Sequence, residues 1–453
     1  MGDAADLFAS KLDQVLQARG YAPSKGLRRL HGGAMMESWR FESGKGAYVL
    51  RRAPSAEMMA EHPFGHDVEA EIIRQAVANG VRAPEVMLEL QPDDGLGTGY
   101  VMRALPGTAD PRTILACDDP SGVLRECAGE LAKIHAIPRS AVPAGVPQRS
   151  YSEMIEDLSV QFDATGRDRP TIALGLRWLR DNMPAPVEPV LTHGDFRMGN
   201  LLVEGSTLTG VLDWEMAHLG DRHEDLAYAC MAVWRFGRVE RPALGLGSLD
   251  DWIASYESAG GAPVDRSRLH FWLVYRTVWW ALGCLGMAQT WRSGADRSLE
   301  RLVISRRASE QELDLLLLLE DEAPQERRAR QKWWPIDTPD REKGDATVEE
   351  LMTAVSEWLG TLKDQLPGHD RFQLAVARNA LKIAMRNDAF LPDLHRNARL
   401  TEAILAGEQS LATPGVLGRL RQAALEKISV DSPKYPNLSV AIEKWTIPGQ
   451  EAN

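Results

Sequence analysis

Leu191-Thr-His-Gly-Asp-Phe-Arg-Met-Gly-Asn200, followed by LLVEGSTLTGVL and then Asp213-Trp-Glu215, is the stretch that decides how the chain is read. Leu201 to Val203 and Thr209 to Leu212 are apolar runs about the Gly205 turn, which predicts a hairpin. A hairpin brings Asn200 at its entrance beside Asp213 at its exit, and Asp195 stands five residues ahead on the incoming loop. Two carboxylates and an amide oxygen then converge at one end of the hairpin. Such hard oxygens are what Mg²⁺ takes together with substrate phosphates. Phosphoryl transfer further needs a carboxylate that orients an attacking hydroxyl and accepts its proton.

HGDFRMGN, with D-W-E eighteen residues after its Asp, resembles the signature of the aminoglycoside phosphotransferase/choline kinase-like family, a branch of the protein-kinase-like fold. That resemblance implies an α+β, two-lobed fold with a small β-rich N-lobe and a mostly helical C-lobe. It implies ATP and Mg²⁺ as cofactors, Asp195 as catalytic base, Arg197 against the transferring phosphate, and Asn200 and Asp213 as metal ligands. His193 is expected to pack inside and hold the loop. Gly194 stands where phosphoregulated kinases carry Arg, so the site is expected to assemble without phosphorylation. Asp225, in Glu-Asp-Leu-Ala-Tyr, matches the family's buttress of the catalytic loop, with an exposed acid at a helix start as the other reading.

Upstream, Ser38 to Phe41 and Ala47 to Leu50 flank Ser43-Gly-Lys-Gly46 as a second hairpin, and an amphipathic helix is predicted over 5–19. Helix Val68 to Asn79 and strands at 84–88 and 99–103 follow. In the resembling family these parts hold the nucleotide. Gly32 and Gly33 fall on the turn over the phosphates, although an ordinary hairpin turn reads equally well and Met35-Met36 depart from the family's pattern. Arg51 stands where a basic residue pairs the α- and β-phosphates, with Arg52 as its exposed neighbour. Glu69 is favoured over Glu71 as the acid that fixes that cation. Met102, Arg103 and Ala104 would present backbone to adenine, with Met102 equally readable as core.

The 453 residues give a prior of two or three folding units, and 44% hydrophobic content supplies material for cores. The net charge of −12 argues against a chain built to grip nucleic acid. Residues 346–453 carry 12 basic and 13 acidic side chains, so the charge belongs almost wholly to the first 345 residues. The longest apolar run, 269–289, has membrane-span length but holds Arg276 near its middle, which makes it a buried helix. No basic-apolar leader or myristoylation pattern stands at positions 1–10, and four cysteines without metal-ligand spacing read as small core residues. A cytoplasmic protein without nucleic-acid or membrane partners is expected.

Long helices follow Asp110, among them one capped by Ser121 with Leu124, Cys127, Leu131 and Ile134 on one face. Trp279 and Trp280, adjacent on a helix, are expected to face apart; any tryptophan facing the cleft would stack on substrate. The basic cluster Arg327 to Lys332 reads as solvated linker or as a contact for an anionic tail. The domains expected are 1–104 (nucleotide lobe), 105–320 (catalytic loop and substrate), a linker at 321–345, and an all-α domain at 346–453. In that last part Leu351, Val355, Trp358 and Leu362, then Phe372 to Ile383, follow helical spacing. It resembles a small helical domain of unknown function found with kinases of this type, and is expected to dock on the kinase body or on another protomer. D-W-E and Tyr-Val-Leu-Arg are most similar to the kinase-like domains associated with acyl-CoA dehydrogenases. That implies a hydroxyacyl-CoA or hydroxy acid as the hydroxyl acceptor. Aminoglycosides, or a weakly catalytic nucleotide-binding scaffold, are the alternatives.

Overall fold

The computed structural model describes residues 2–30, 36–55, 59, 62–165, 168–331, 348–388 and 394–447. Helix α1 (Gly2–Ala18) is followed by strands β1 (Lys25–Arg29), β2 (Glu37–Ser43) and β3 (Gly46–Ala53), then by α2 (His66–Ala78), β4 (Val86–Glu89) and β5 (Thr98–Arg103). The five strands form one antiparallel sheet in the order β1-β2-β3-β5-β4. Alternation puts Phe41, Leu50 and Val101 under Leu12, Val15 and Leu16 of α1. The hairpin register pairs Phe41 with Tyr48 across a turn in which Gly44 takes φ 59°. The polar strand Lys-Gly-Leu-Arg-Arg has no apolar alternation by which its sequence could announce it. Arg52 is not the exposed neighbour expected. It is largely buried, donates to Glu37 (2.8 Å) and to the Leu96 carbonyl (2.9 Å), and lies over Phe8.

Beyond β5 come α3 (Pro111–Leu115), α4 (Pro120–His135), α5 (Tyr151–Thr165) and α6 (Pro170–Asp181), then β6 (Val190–Thr192), β7 (Leu201–Glu204), β8 (Thr207–Val211) and β9 (His218–Gly220). Helices α7 (Arg222–Tyr228), α8 (Leu249–Ser258), α9 (Arg266–Ser293), α10 (Leu299–Ser305) and α11 (Ala308–Leu319) complete this part. The predicted face of α4 is fully buried, but its cap is Asp119, which accepts from the Gly122 N–H (2.8 Å), with Pro120 in the first turn. Ser121 is therefore inside the helix: a proline prefers the first helical position, which moves the cap one residue ahead of it. Helix α9 is the buried helix expected. Arg276 within it pairs with Glu224 at 2.8 Å, and no helix among the described residues is long and apolar enough to cross a membrane. Three cysteines are buried as expected, while Cys117 is only half-buried.

The remaining helices are α12 (Val348–Thr361), α13 (Gly368–Asp388), α14 (Leu394–Leu405), α15 (Val416–Asp431) and α16 (Pro436–Trp445). One apolar cluster runs from Ala70 through α4, α9 and α11 to Leu425 and Trp445, so α14 to α16 share a core with the helices before them. Buried Glu320 accepts from Arg421 (2.7 Å) and from the Trp445 indole, and Asp314 accepts from Asn437 (2.7 Å) and Tyr435. Helix α12 forms as its periodicity predicts, but Leu351, Val355 and Trp358 stay exposed. The helix meets α13 instead through the side that carries buried Ser356, near Arg378.

Candidate active site

Loop 193–200 joins β6 to β7, and a buried carboxylate sets its shape. Asp225 of α7 accepts from the N–H groups of His193 (2.7 Å) and Gly194 (2.8 Å), and its Oδ2 lies 3.1 Å from His135 Nε2. Burial works against its charge, but His135 and the amide donors prevail and hold the carboxyl down at about 2. Asp225 is thus the buttress expected. Gly194 has φ 79°, and a Cβ there would sit 2.2 Å from the Met216 carbonyl oxygen. Close backbone approach, more than any regulatory signal, excludes Arg from this position. The Gly194 carbonyl accepts from Arg276 (2.9 Å), which gives the buried cation of α9 its place under the loop.

His193 is structural, as expected. Its Nδ1 accepts the Asp195 N–H (3.2 Å), so Nε2 carries the hydrogen given to the Leu212 carbonyl (3.1 Å). The ring packs between Phe196 and Trp214, and burial lowers its basicity.

The Asp195 carboxylate is held from three sides. Asn200 Nδ2 donates to Oδ2 (2.5 Å) and to the Asp195 carbonyl (3.0 Å), Arg197 Nε donates to Oδ1 (3.0 Å), and the Tyr228 hydroxyl bonds the same group. The Arg197 guanidinium lies 4.7 Å over the Trp234 ring. The hairpin closes as predicted: the Leu212 N–H donates to the Asn200 carbonyl (2.8 Å) and delivers Asp213 beside Asn200. Asp213 takes φ 70°, a left-handed conformation that a side chain adopts at a cost and that recurs where chemistry is done.

Across the cleft, Arg51 on β3 reaches Asp213 Oδ1 (2.7 Å), Glu215 and, through Nε, Glu69 (3.4 Å). Glu69 is buried and bonded to Tyr100, whereas Glu71 is turned outward to Arg74 (3.3 Å). The helix presents the first to the cleft and the second to solvent. Burial, then the neighbouring Asp213, pushes Glu215 up to about 7 against the pull of Arg51. Met102 is half-buried against the core, Arg103 is exposed and pairs with Glu85 (3.1 Å), and the N–H groups of Arg103 and Ala104 donate to the carbonyls of Glu85 and Ala47 (both 2.9 Å). Those two amides are spent within the sheet and are not free to donate to a base. Any base contact from this strand falls to carbonyl oxygens and to the N–H of the following residue. Gly32, Gly33 and Met35 lie outside the described residues.

Among the described residues no three His, Cys, Asp or Glu side chains are arranged to hold a metal alone. Asn200 Oδ1 and Asp213 Oδ2 are nonetheless hard oxygens with no hydrogen-bond donor among the described residues, because Asn200 spends its amide nitrogen on Asp195 and Asp213 spends Oδ1 on Arg51. Two such ligands suit a Mg²⁺ ion that takes the rest of its shell from phosphates and water.

Sequence reasoning did not assign Glu215, Tyr228, Trp234 or Arg276. The signal for Arg276 was available, since a cation inside an apolar helix requires a carboxylate partner. Trp279 and Trp280 do not part as expected. Their rings lie 6.1 Å apart and pack on Tyr228 (6.3 Å) and Trp234 (5.6 Å), because the aromatic cluster wraps the helix edge. The indole N–H groups of Trp234 and Trp280 have no partner among the described residues.

Residues 26–262, a little over half of the chain, match the sequence profile of the phosphotransferase enzyme family (APH). The chain belongs to this family. Residues 364–435 match a domain of unknown function, DUF6285, in line with the resemblance of the C-terminal helices. Mouse acyl-CoA dehydrogenase family member 10 is 29% identical over 275 residues, 53% of this chain and 25% of that protein. An Escherichia coli aminoglycoside 3'-phosphotransferase is 30% identical over 161 residues, 34% of this chain and 54% of that protein. The chain thus spans a quarter to about half of these relatives. A crystal structure from Ralstonia eutropha, described as a candidate aminoglycoside phosphotransferase, superposes with a TM-score of 0.56 at 20% identity, covering 69% of this chain and 98% of that one. The likeness establishes the kinase-like fold of this phosphotransferase-family chain.

Proposed function

We propose that the chain transfers the γ-phosphoryl group of ATP to a hydroxyl group of a small molecule. The observation that carries this reading is the cluster joining Asp195, Arg197 and Asn200 to Asp213 and Arg51. Arg51, anchored by buried Glu69, binds the α- and β-phosphates; the segment with Gly32 and Gly33, the carbonyl oxygens of Met102 to Ala104 and the N–H that follows them hold the rest of the nucleotide. Asn200 Oδ1 and Asp213 hold Mg²⁺, which when bound offsets the negative charge of the phosphates. When Arg197 turns from Asp195 to the γ-phosphate, Oδ1 is released to accept the acceptor's hydroxyl proton. The acceptor oxygen then bonds to phosphorus, the bond to the β-phosphate oxygen breaks, and ADP leaves.

The kinship with acyl-CoA dehydrogenase family member 10 favours a hydroxyacyl-CoA or hydroxy acid as the acceptor. The −12 net charge and the E. coli relative keep an aminoglycoside or other amino alcohol as the second reading. The helices of 346–453 act as a module docked on the kinase body through buried Glu320 and Asp314, and the protein works in the cytoplasm. Incubation with Mg-ATP and a panel of hydroxyacyl-CoAs, hydroxy acids, choline and aminoglycosides, followed by ADP release, tests this. Turnover with a hydroxyacyl or hydroxy-acid compound is expected. Turnover with aminoglycosides alone would favour the second reading, and tight ATP binding without any turnover would leave a scaffold.

A further inference from the structure

A cavity of about 240 Å³ lies where α15 meets α6, α9 and α11, remote in sequence from the 193–215 site. Four cationic side chains line it: Arg169 ahead of α6, Arg292 in the last turn of α9, Arg306 ahead of α11, and Lys427 of α15. Asp168 is the one acid in the lining. Two carboxylates bind these cations from beside the cavity. Glu312 accepts from Arg169 (3.1 Å), and buried Asp431 is shared by Arg306 (2.6 Å) and Lys427. Four cations therefore meet three carboxylates, one of them doubly used.

The donors are also far from spent. Among the described residues, Arg306 Nη1, Arg169 Nη2, two hydrogens of Lys427, the whole Arg292 guanidinium and the Gln289 amide have no hydrogen-bond acceptor. Burial draws Lys427 below an ordinary lysine, and Arg306 and Arg169 push it the same way against Asp431, as expected of cations crowded without a full set of counter-charges. Donors that arrive from four separate segments suit a tetrahedral anion better than a planar carboxylate, which one guanidinium fork satisfies. The volume, about eight waters' share of liquid, admits a phosphate with a short organic substituent and is too small for a nucleotide.

We propose that this junction binds a phosphate dianion, free or as a small monoester, and that the bound anion ties α15 to the helices of the phosphotransferase body. The proposal is independent of the reading of the 193–215 site. A ligand that binds only the folded chain stabilises it by RT ln(1 + L/Kd), where L is its free concentration, and so raises its melting temperature as that concentration passes Kd. Thermal unfolding and calorimetric titration of the full chain with inorganic phosphate, against sodium chloride of equal ionic strength, test it. Phosphate is expected to raise Tm where chloride does not, and R292Q, whose exposed side chain no described residue engages, is expected to bind phosphate about tenfold more weakly. K427Q is expected to lose affinity likewise. Glycerol 3-phosphate supplies the second arm: tighter binding than phosphate marks a monoester site, equal or weaker binding a site for the free ion. An equal response to chloride, or a phosphate response unchanged in both variants, would overturn the proposal, the latter by placing the anion elsewhere.

Discussion

Replacing Asp225 by Asn removes one charge from a fully buried position while keeping its shape. Asp225 holds the amides of His193 and Gly194 and faces His135, and its acidity stands at about 2, against an ordinary aspartate near 3.8. At about 1.4 kcal/mol for each tenfold change in acidity, that difference contributes on the order of 2–3 kcal/mol of stability. Because the folded-state value is depressed, the contribution is whole above about pH 4 and is lost as pH falls toward 2. The variant should therefore be roughly 2–3 kcal/mol less stable than wild type at pH 7, with the gap closing in that acid window. Asn also turns an N–H group toward a backbone N–H, which loosens loop 193–200 and displaces Asp195. A displacement of about 1 Å costs on the order of 100-fold in kcat. Denaturant unfolding from pH 7 to pH 3, with kcat measured in parallel, reads both effects. A variant as stable as wild type at pH 7, or a gap that does not shrink in acid, would refute the reasoning.

Other perturbations follow from the same geometry. Gly194→Ala puts a methyl group 2.2 Å from the Met216 oxygen at φ 79°, and a loss of at least about 2 kcal/mol is expected in thermal unfolding. Arg276→Met takes the guanidinium from buried Glu224 and leaves it His218 (2.9 Å), so about 3 kcal/mol of stability, the low end for a broken buried pair, should be lost in denaturant unfolding. Glu215, raised to about 7, favours the folded state when protonated, so wild type should lose stability relative to Glu215→Gln as pH rises from 5 to 8; a flat difference would contradict it.

The hairpin was legible because its alternation, its Gly205 turn and the polar residues at both ends agree, and they place Asn200 and Asp213 together without any knowledge of the rest. Arg51 and Glu69 were legible through resemblance, whereas their meeting with Asp213 and Glu215 is a contact between residues more than 140 apart that no local pattern encodes. Tyr228 and Trp234 read as ordinary core aromatics, since only the fold shows one bonding Asp195 and the other beneath Arg197. The stripe of α12 shows the converse. Periodicity predicts the helix correctly and says nothing of which face its neighbour will cover.

The role of Asp195 is tested most directly by comparing wild type with Asp195→Asn under saturating Mg-ATP and an acceptor that supports turnover. If Asp195 accepts the hydroxyl proton, kcat falls by at least about 100-fold, while the affinity for ATP, held by Arg51 and its carboxylates, changes by less than about threefold. A variant within tenfold of wild type in kcat would contradict the assignment of the base.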